Sequence, residues 1–166
     1  MTDPSVLDKE ALIGALRMRV ESQLGRLTRS QHASQAGAAH EEARAEHPKD
    51  TRATEASYLA RGLAERVAQL QRAAARLAEF HAAAFAETDA IALGALVGVE
   101  DDHGRESVHF LVPAAGGEKI EVGEQVVHAV TPDSPLGREI VGRERDEDFE
   151  LDLPGGRVGQ TVVWVR

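Results

Sequence analysis

The chain has 166 residues, a net charge of −9, 4% aromatics with one Trp and one Tyr, and no cysteine. Disulfides and thiolate metal sites are therefore excluded. So few aromatics cannot fill one large core along the whole length, which suits one ordinary domain or two small ones. The charge is uneven. Met1–Thr88 holds 12 basic and 12 acidic residues, whereas Asp89–Arg166 holds 7 basic and 16 acidic ones. Two modules with different surfaces are expected, and the acidic one is a poor direct partner for a phosphate backbone. No apolar run approaches the ~20 residues of a membrane span. The opening stretch MTDPSVLDKEALIGALRMRV places acids ahead of its apolar residues, unlike a signal peptide, so a cytoplasmic protein is expected.

From about Val6 to Ala45 the pattern predicts one helix. Leu12, Leu16, Val20, Leu24 and Leu27 recur at three- and four-residue steps. Beyond Leu27 the large apolar residues give way to Ala33, Ala36, Ala39 and Ala43, which favour helix but bury little. His47-Pro48 interrupts the pattern, because the residue before proline avoids the helical region. A second helix starts near Asp50 or Thr51, both acceptable N-caps. Its repeat Ala56, Ala60, Leu63, Val67, Leu70, Ala74, Leu77, His81 is a heptad seam predicted to end near Glu87. A turn at Pro48 folds the pair into an antiparallel hairpin with Leu27 near Leu70, Val20 near Leu77 and Leu12 near Phe85. Arms of roughly 37–40 residues at ~1.5 Å rise reach on the order of 55–60 Å.

After Thr88 short β-branched runs appear: IALGALVGVE, ESVHFLVP, EQVVHAVTP, DFELDLP and QTVVWVR. The clusters DDHG, AAGGE, PDSP and LPGG separate them as turns. SPLGREIVG fits one short helix with Ser134 as N-cap and Pro135 in its first turn. The expected fold class is α+β: an antiparallel two-helix coiled coil over 1–88, tip near 47–55, then a small antiparallel β domain with one short helix over 89–166.

The stretch AVTPDSPLGREIVGRERDEDFELDLPGG resembles the C-terminal domain of the bacterial transcript-cleavage and elongation factors GreA and GreB. The matching residues are Ser134, Pro135, Leu136, Gly137, Arg138, Ile140, Val141, Gly142 and Leu153 to Gly156, in order and spacing over about 75 residues. That family also places an antiparallel helical hairpin before this domain. The resemblance implies an FKBP-like β domain that docks on RNA polymerase, here around Ser134, Pro135, Leu136 and Gly137. It also implies a hairpin that enters the polymerase's secondary channel. In the family the tip reads acidic-x-x-acidic-Asn-Ala-x-Tyr, and the two acids hold the Mg²⁺ that drives hydrolysis of backtracked RNA.

Here KDTRATEASYLARG departs from that pattern. Aligned on Tyr58 and Ala56, Glu55 falls at the Asn position, and Thr54 and Thr51 fall at the two acidic positions. The nearby acids are Asp50, Glu55 and Glu46. Asp50 and Glu55 are five apart, about 140° round a helix, and Pro48 separates Glu46 from Asp50. Mg²⁺ relies on one or two well-placed carboxylates, so the metal-holding pair is missing. A regulator that occupies the channel, modulating rather than stimulating cleavage, is therefore expected. The alternatives are an active cleavage factor using Asp50 and Glu55, or a coiled-coil adaptor for another protein. No enzyme in its own right, no tightly bound cofactor, no small-molecule substrate and no membrane partner is expected. Mg²⁺ would be met only at the polymerase active site.

Arg17, Arg19, Arg26 and Arg29 on the first helix and Arg61, Arg66, Arg72 and Arg76 on the second form a basic collar in the hairpin register. It could hold nascent RNA or polymerase acids, or be a solvated helical surface. HEEARAEH, with His40 and His47, reads as a solvated helix end rather than a zinc site. His109 and His128 sit in apolar runs, as half-buried imidazoles do. GRERDEDFE reads as a charged turn. Prolyl isomerase activity is disfavoured, because Phe110, Phe149 and Trp164 are too few to line a pocket and fill a core.

Overall fold

The computed structural model describes residues 7–42 and 51–166. Two long helices, α1 (Lys9–Glu42) and α2 (Thr51–Glu79), precede six strands and one short helix. The strands are β1 (Leu96–Asp101), β2 (Glu106–Leu111), β3 (Lys119–Val122), β4 (Gln125–Val130), β5 (Asp148–Leu153) and β6 (Gly156–Val165), with α3 (Pro135–Ile140) between β4 and β5. The chain divides into two compact units. One comprises Met1–Arg17 and Arg76–Arg166, the other Met18–Ala75.

The second unit consists of the middle and far parts of α1 and α2. Val20, Val67 and Leu70 are buried in it. Residues Ala33 to Gly37 are exposed, as the loss of large apolar residues there predicts. Without bulk at the seam, tertiary burial adds little to the intrinsic helix preference of alanine.

In the first unit, the sheet has the order β3-β4-β2-β1-β6-β5. β1 is central and pairs antiparallel with β2 and β6. The sheet is mostly antiparallel, but β2 and β4 run parallel, with His109 level with His128. A parallel pair needs a crossover. Here the crossover contains β3, a strand of KIEV that sequence reading leaves in a loop, hydrogen-bonded antiparallel to β4. One face of the sheet buries Val97, Val99, Leu111, Val162 and Val165 together with Ile91, Ile140 and Phe149. Phe85, Leu136 and Leu151 pack against this cluster. The edge strand β5 carries Glu150 and Asp152, both paired with Arg157 on β6. Charges of this kind discourage edge-to-edge association.

α2 stops at Glu79, eight residues short of the predicted end near Glu87. Residues 80–86 are non-helical. Two observations explain this. Arg17 covers the last turn of α2: its Nε donates to the Leu77 carbonyl at 2.7 Å, and its Nη2 donates to the Ala78 and Phe80 carbonyls at 3.1 and 2.9 Å. The Leu77 and Ala78 carbonyls belong to the last turn, where carbonyls run out of helical donors, and Leu77 also accepts from the Phe80 N–H at 3.3 Å; Phe80 lies just beyond the helix. Second, Phe80 meets the Phe110 ring at 6.3 Å while Phe85 packs on the main cluster. Residues five apart on a helix diverge by about 140°. A non-helical strand-like path lets both rings pack inward.

The two ends of the helix pair meet antiparallel, as predicted. The ties run from Arg17 to Leu77 and from Lys9, whose ammonium lies 4.7 Å over the Phe85 ring, to Phe85. They lie about one helical turn from the pairings Val20–Leu77 and Leu12–Phe85. Lys9 also donates to the Ala83 carbonyl at 2.8 Å. Burial is the larger cause, and nearby Arg166 the smaller, of a Lys9 pKa lowered to about 8. At the start of α1, Asp8 acts as a cap: its Oδ1 accepts from the Glu10 N–H at 3.0 Å.

Replacing Arg17 by Met keeps the aliphatic stem and removes the donors. It should destabilise the protein by about 1–3 kcal/mol, because part-buried carbonyls lose their partners. Urea unfolding followed through the single tryptophan, Trp164, measures it. An unchanged midpoint would show that the cap contributes nothing.

Candidate functional site

Two regions carry the residues singled out in the sequence. The first is the start of α2. Thr51 is its first residue. Thr54, Glu55, Ser57 and Tyr58 follow as exposed positions. Asp50 and Glu46, the other candidate acids, lie outside the described residues, as does the proposed turn at Pro48. Thr54, Ser57, Tyr58 and Arg61 share one face of the helix, at positions i, i+3, i+4 and i+7. They are the described residues that line a hollow of about 380 Å³. Glu55 sits about 100° round the helix from Thr54, away from this face. Tyr58 is 70% exposed and Leu59 beside it 76%.

The second region is α3 and its approach. Ser134 Oγ accepts from the Gly137 N–H at 3.1 Å and donates to the Thr131 carbonyl at 2.8 Å. Pro135 occupies the first turn, where its missing N–H costs nothing. A side chain on Gly137 would collide with the Thr131 carbonyl, so only glycine lets the helix lie on the preceding backbone. Leu136 packs against the core cluster. Of the four residues, Pro135 is exposed, Ser134 and Leu136 are half-buried and Gly137 is buried. These four residues are thus largely an internal joint, and of the four only Pro135 is presented outward.

The basic residues are dispersed in role. Arg17 is the cap described above. Arg26 Nη1 donates to Ser22 Oγ at 2.8 Å, and Arg66 Nη1 to Gln69 Oε1 at 3.1 Å. Arg19, Arg29, Arg61, Arg72 and Arg76 are exposed. On α2, Arg61, Arg72 and Arg76 fall within about 60° of one another, opposite Leu63, Val67 and Leu70. They form a stripe along the helix, with Arg66 off to one side.

A polar group less obvious in the sequence lies in the sheet. His109 and His128 stand side by side on β2 and β4, ring centroids 5.5 Å apart. His109 Nε2 is 2.8 Å from Ser107 Oγ, and its Nδ1 is buried without a partner. Burial first, and the charge of His128 second, push the His109 pKa down to about 4. His128 is lowered too, by burial and then by Lys119, its cross-strand partner on β3. Sequence periodicity placed each histidine in an apolar run. Only the parallel β2–β4 register brings them together. Among the described residues no group of three or more His, Asp or Glu could hold a metal ion. Among the same residues no helix is long and apolar enough to cross a membrane.

No protein-family model matches the chain, and no curated protein matches it. Solved structures do. A structure of the transcription factor Gfh1 is 20% identical, with 90% of this chain and 92% of that one covered, at a TM-score of 0.41. GreA factor homolog 1 (Gfh1) of Thermus thermophilus is 18% identical over 90% and 94%, at 0.37. The transcription elongation factor GreA/GreB from Nitrosomonas europaea is 17% identical over 58% and 78%, also at 0.37. These TM-scores are too low for the likeness to bear on what the chain does.

The histidine pair has a pH consequence. An unfolded imidazole titrates near 6.5, whereas folded His109 does so near 4. Between those values the unfolded chain binds more protons, so the stability contribution is full above about pH 6.5 and is lost as pH falls toward 4. The loss is on the order of 3 kcal/mol. Phe at position 109 should flatten the fall in unfolding midpoint across this window. An unaltered pH slope in that variant would place the acid sensitivity elsewhere.

Proposed function

We propose that the chain is an RNA polymerase-binding regulator of transcription elongation of the Gre type. It occupies the polymerase's secondary channel with the tip of its helix pair and does not stimulate RNA cleavage. The observation that carries this reading is the segment from Ser134 to Gly142, which matches the family motif in sequence and folds as the capped helix the motif requires. It lies in a β domain preceded by two long helices, the order of parts in that family.

The tip determines the mode of action. Holding a second Mg²⁺ needs oxygen ligands of high charge density converging on one point. Thr51 and Thr54 are three apart on α2, about 60° round the helix, which is the spacing two carboxylates would need. As neutral hydroxyls they cannot take that role. Occupancy without metal delivery excludes other factors from the channel and leaves backtracked RNA uncut. Of the four residues Ser134 to Gly137, the exposed Pro135 is the one that would meet the polymerase directly. Gly137, Ser134 and Leu136 set the position of α3 from within.

The test is RNA cleavage in a stalled, backtracked elongation complex in Mg²⁺, with this protein alone and together with a GreA-type factor. The expected result is no shortening of RNA by this protein and dose-dependent suppression of cleavage by the added factor. RNA shortening that disappears with Asp50→Ala would establish an active cleavage factor instead. Neither cleavage nor competition would overturn the polymerase reading and leave an adaptor.

A further inference from the structure

We infer that His109 and His128 form a binding site for a soft monovalent metal ion, copper(I), held between their two imidazoles. The site is independent of the transcription reading. The two residues are level in the parallel pairing of β2 and β4, and their ring centres are 5.5 Å apart. His109 is only 9% exposed, yet its Nδ1 has no hydrogen-bond partner among the described residues. Its other nitrogen, Nε2, is held by Ser107 Oγ at 2.8 Å. The Ser107 hydroxyl in turn donates to the Val99 carbonyl at 3.3 Å. With Nε2–H donating to Oγ, both hydrogens of this chain have an acceptor. The opposite tautomer would bury an N–H without one, which folded proteins rarely tolerate. Nδ1 then presents a bare lone pair while the far side of the ring is anchored to an oxygen. That is how metal-ligating histidines are oriented.

Metal–imidazole bonds of about 2 Å place two nitrogens that share an ion about 4 Å apart. Ring centres 5.5 Å apart permit this when one nitrogen of each ring faces the other. Two imidazoles are too few for most metals. Zinc takes three or four protein ligands, and magnesium and calcium need shells of oxygen. No third His, Asp or Glu joins the pair among the described residues. A closed-shell d¹⁰ ion of single charge, by contrast, accepts two nitrogens in line. The surroundings also favour a single charge. Buried Val97 lies level with His109 on β1, and the cationic Lys119 lies level with His128 on β3. His128 is half-buried, which gives the ion a route in from solvent.

The chain has no cysteine, so no thiolate competes for a soft ion. The full chain, with ¹⁵N in its histidine rings, is titrated with silver(I) in nitrate buffer and with copper(I) kept reduced by ascorbate. The ring nitrogens of His109 and His128 should shift together and saturate at one ion per chain. Those of His103, on an exposed turn, should not saturate with them. The thermal midpoint should rise with ion concentration, because the ion binds the folded site. His128→Phe keeps the bulk of the ring and should weaken binding at least about tenfold, and Ser107→Ala, which unties the His109 ring, about tenfold. Zinc(II) should bind more weakly than silver(I). Shifts confined to other histidines, or zinc(II) binding tighter than silver(I), would overturn the site, and neither result needs a variant. So would identical titrations of Ser107→Ala, or of a folded His128→Phe, and the natural chain. None of these readouts involves polymerase, so the cleavage-competition assay judges channel occupancy separately.

Discussion

The hydrogen bonds from Arg17 to the end of α2 fix where that helix stops. A helix C-terminus presents carbonyls without donors and a partial negative charge, and a guanidinium satisfies both at once. Because α2 ends there, the chain can leave helical geometry before Phe80. Phe80 and Phe85 then reach separate parts of the sheet's hydrophobic interior. The same contact ties the first turns of α1 to the end of α2, and Lys9 repeats it one level further along through the Ala83 carbonyl. Two basic side chains on one helix thus set both where the second helix stops and where the linking segment runs.

The motif around Ser134 acts as a folding device in three ways. Ser134 caps α3, Pro135 pre-sets its first turn and Gly137 permits close contact with the Thr131 backbone. Leu136 and Ile140 then face the cluster of Val97, Val99 and Phe149. A similar close approach occurs in the sheet, where the Trp164 ring covers Gly98 and donates to Glu106 at 2.9 Å. Both sites exclude a β-carbon for steric reasons, and neither needs a partner molecule to account for its glycine.

Much of the fold was legible in the sequence. Heptad spacing marked the helix pair, β-branched runs marked five of the six strands, and Ser-Pro marked the start of α3. What was not legible has specific physical causes. β3 is four residues of KIEV followed directly by Gly123, too short for alternation to show. The end of α2 depends on Arg17, sixty residues away in the sequence from Leu77. Alanine-rich continuation hides such an end, because alanine favours helix with or without a cap. The His109–His128 neighbourhood exists only through a parallel pairing between strands that are not consecutive. At the start of α2, the presence of Thr rather than acids at positions 51 and 54 was readable in the sequence. The shared face of Thr54, Ser57, Tyr58 and Arg61 required the helix itself.

The position of β6 has a consequence for how the protein is made. β1 is translated well before β6, its partner on one side, with Val97 opposite Val165. The centre of the sheet therefore stays open on the ribosome until the last strand has emerged. During that interval the β1 residues Val97 and Val99 lack their cover, and an exposed apolar strand edge invites non-native pairing. Closing so long a loop also makes this pairing a late, entropically costly step. The two helices, whose contacts include many within a few residues, are free to form first. Nascent-chain vulnerability is thus concentrated in the β domain and lasts until translation reaches the final strand.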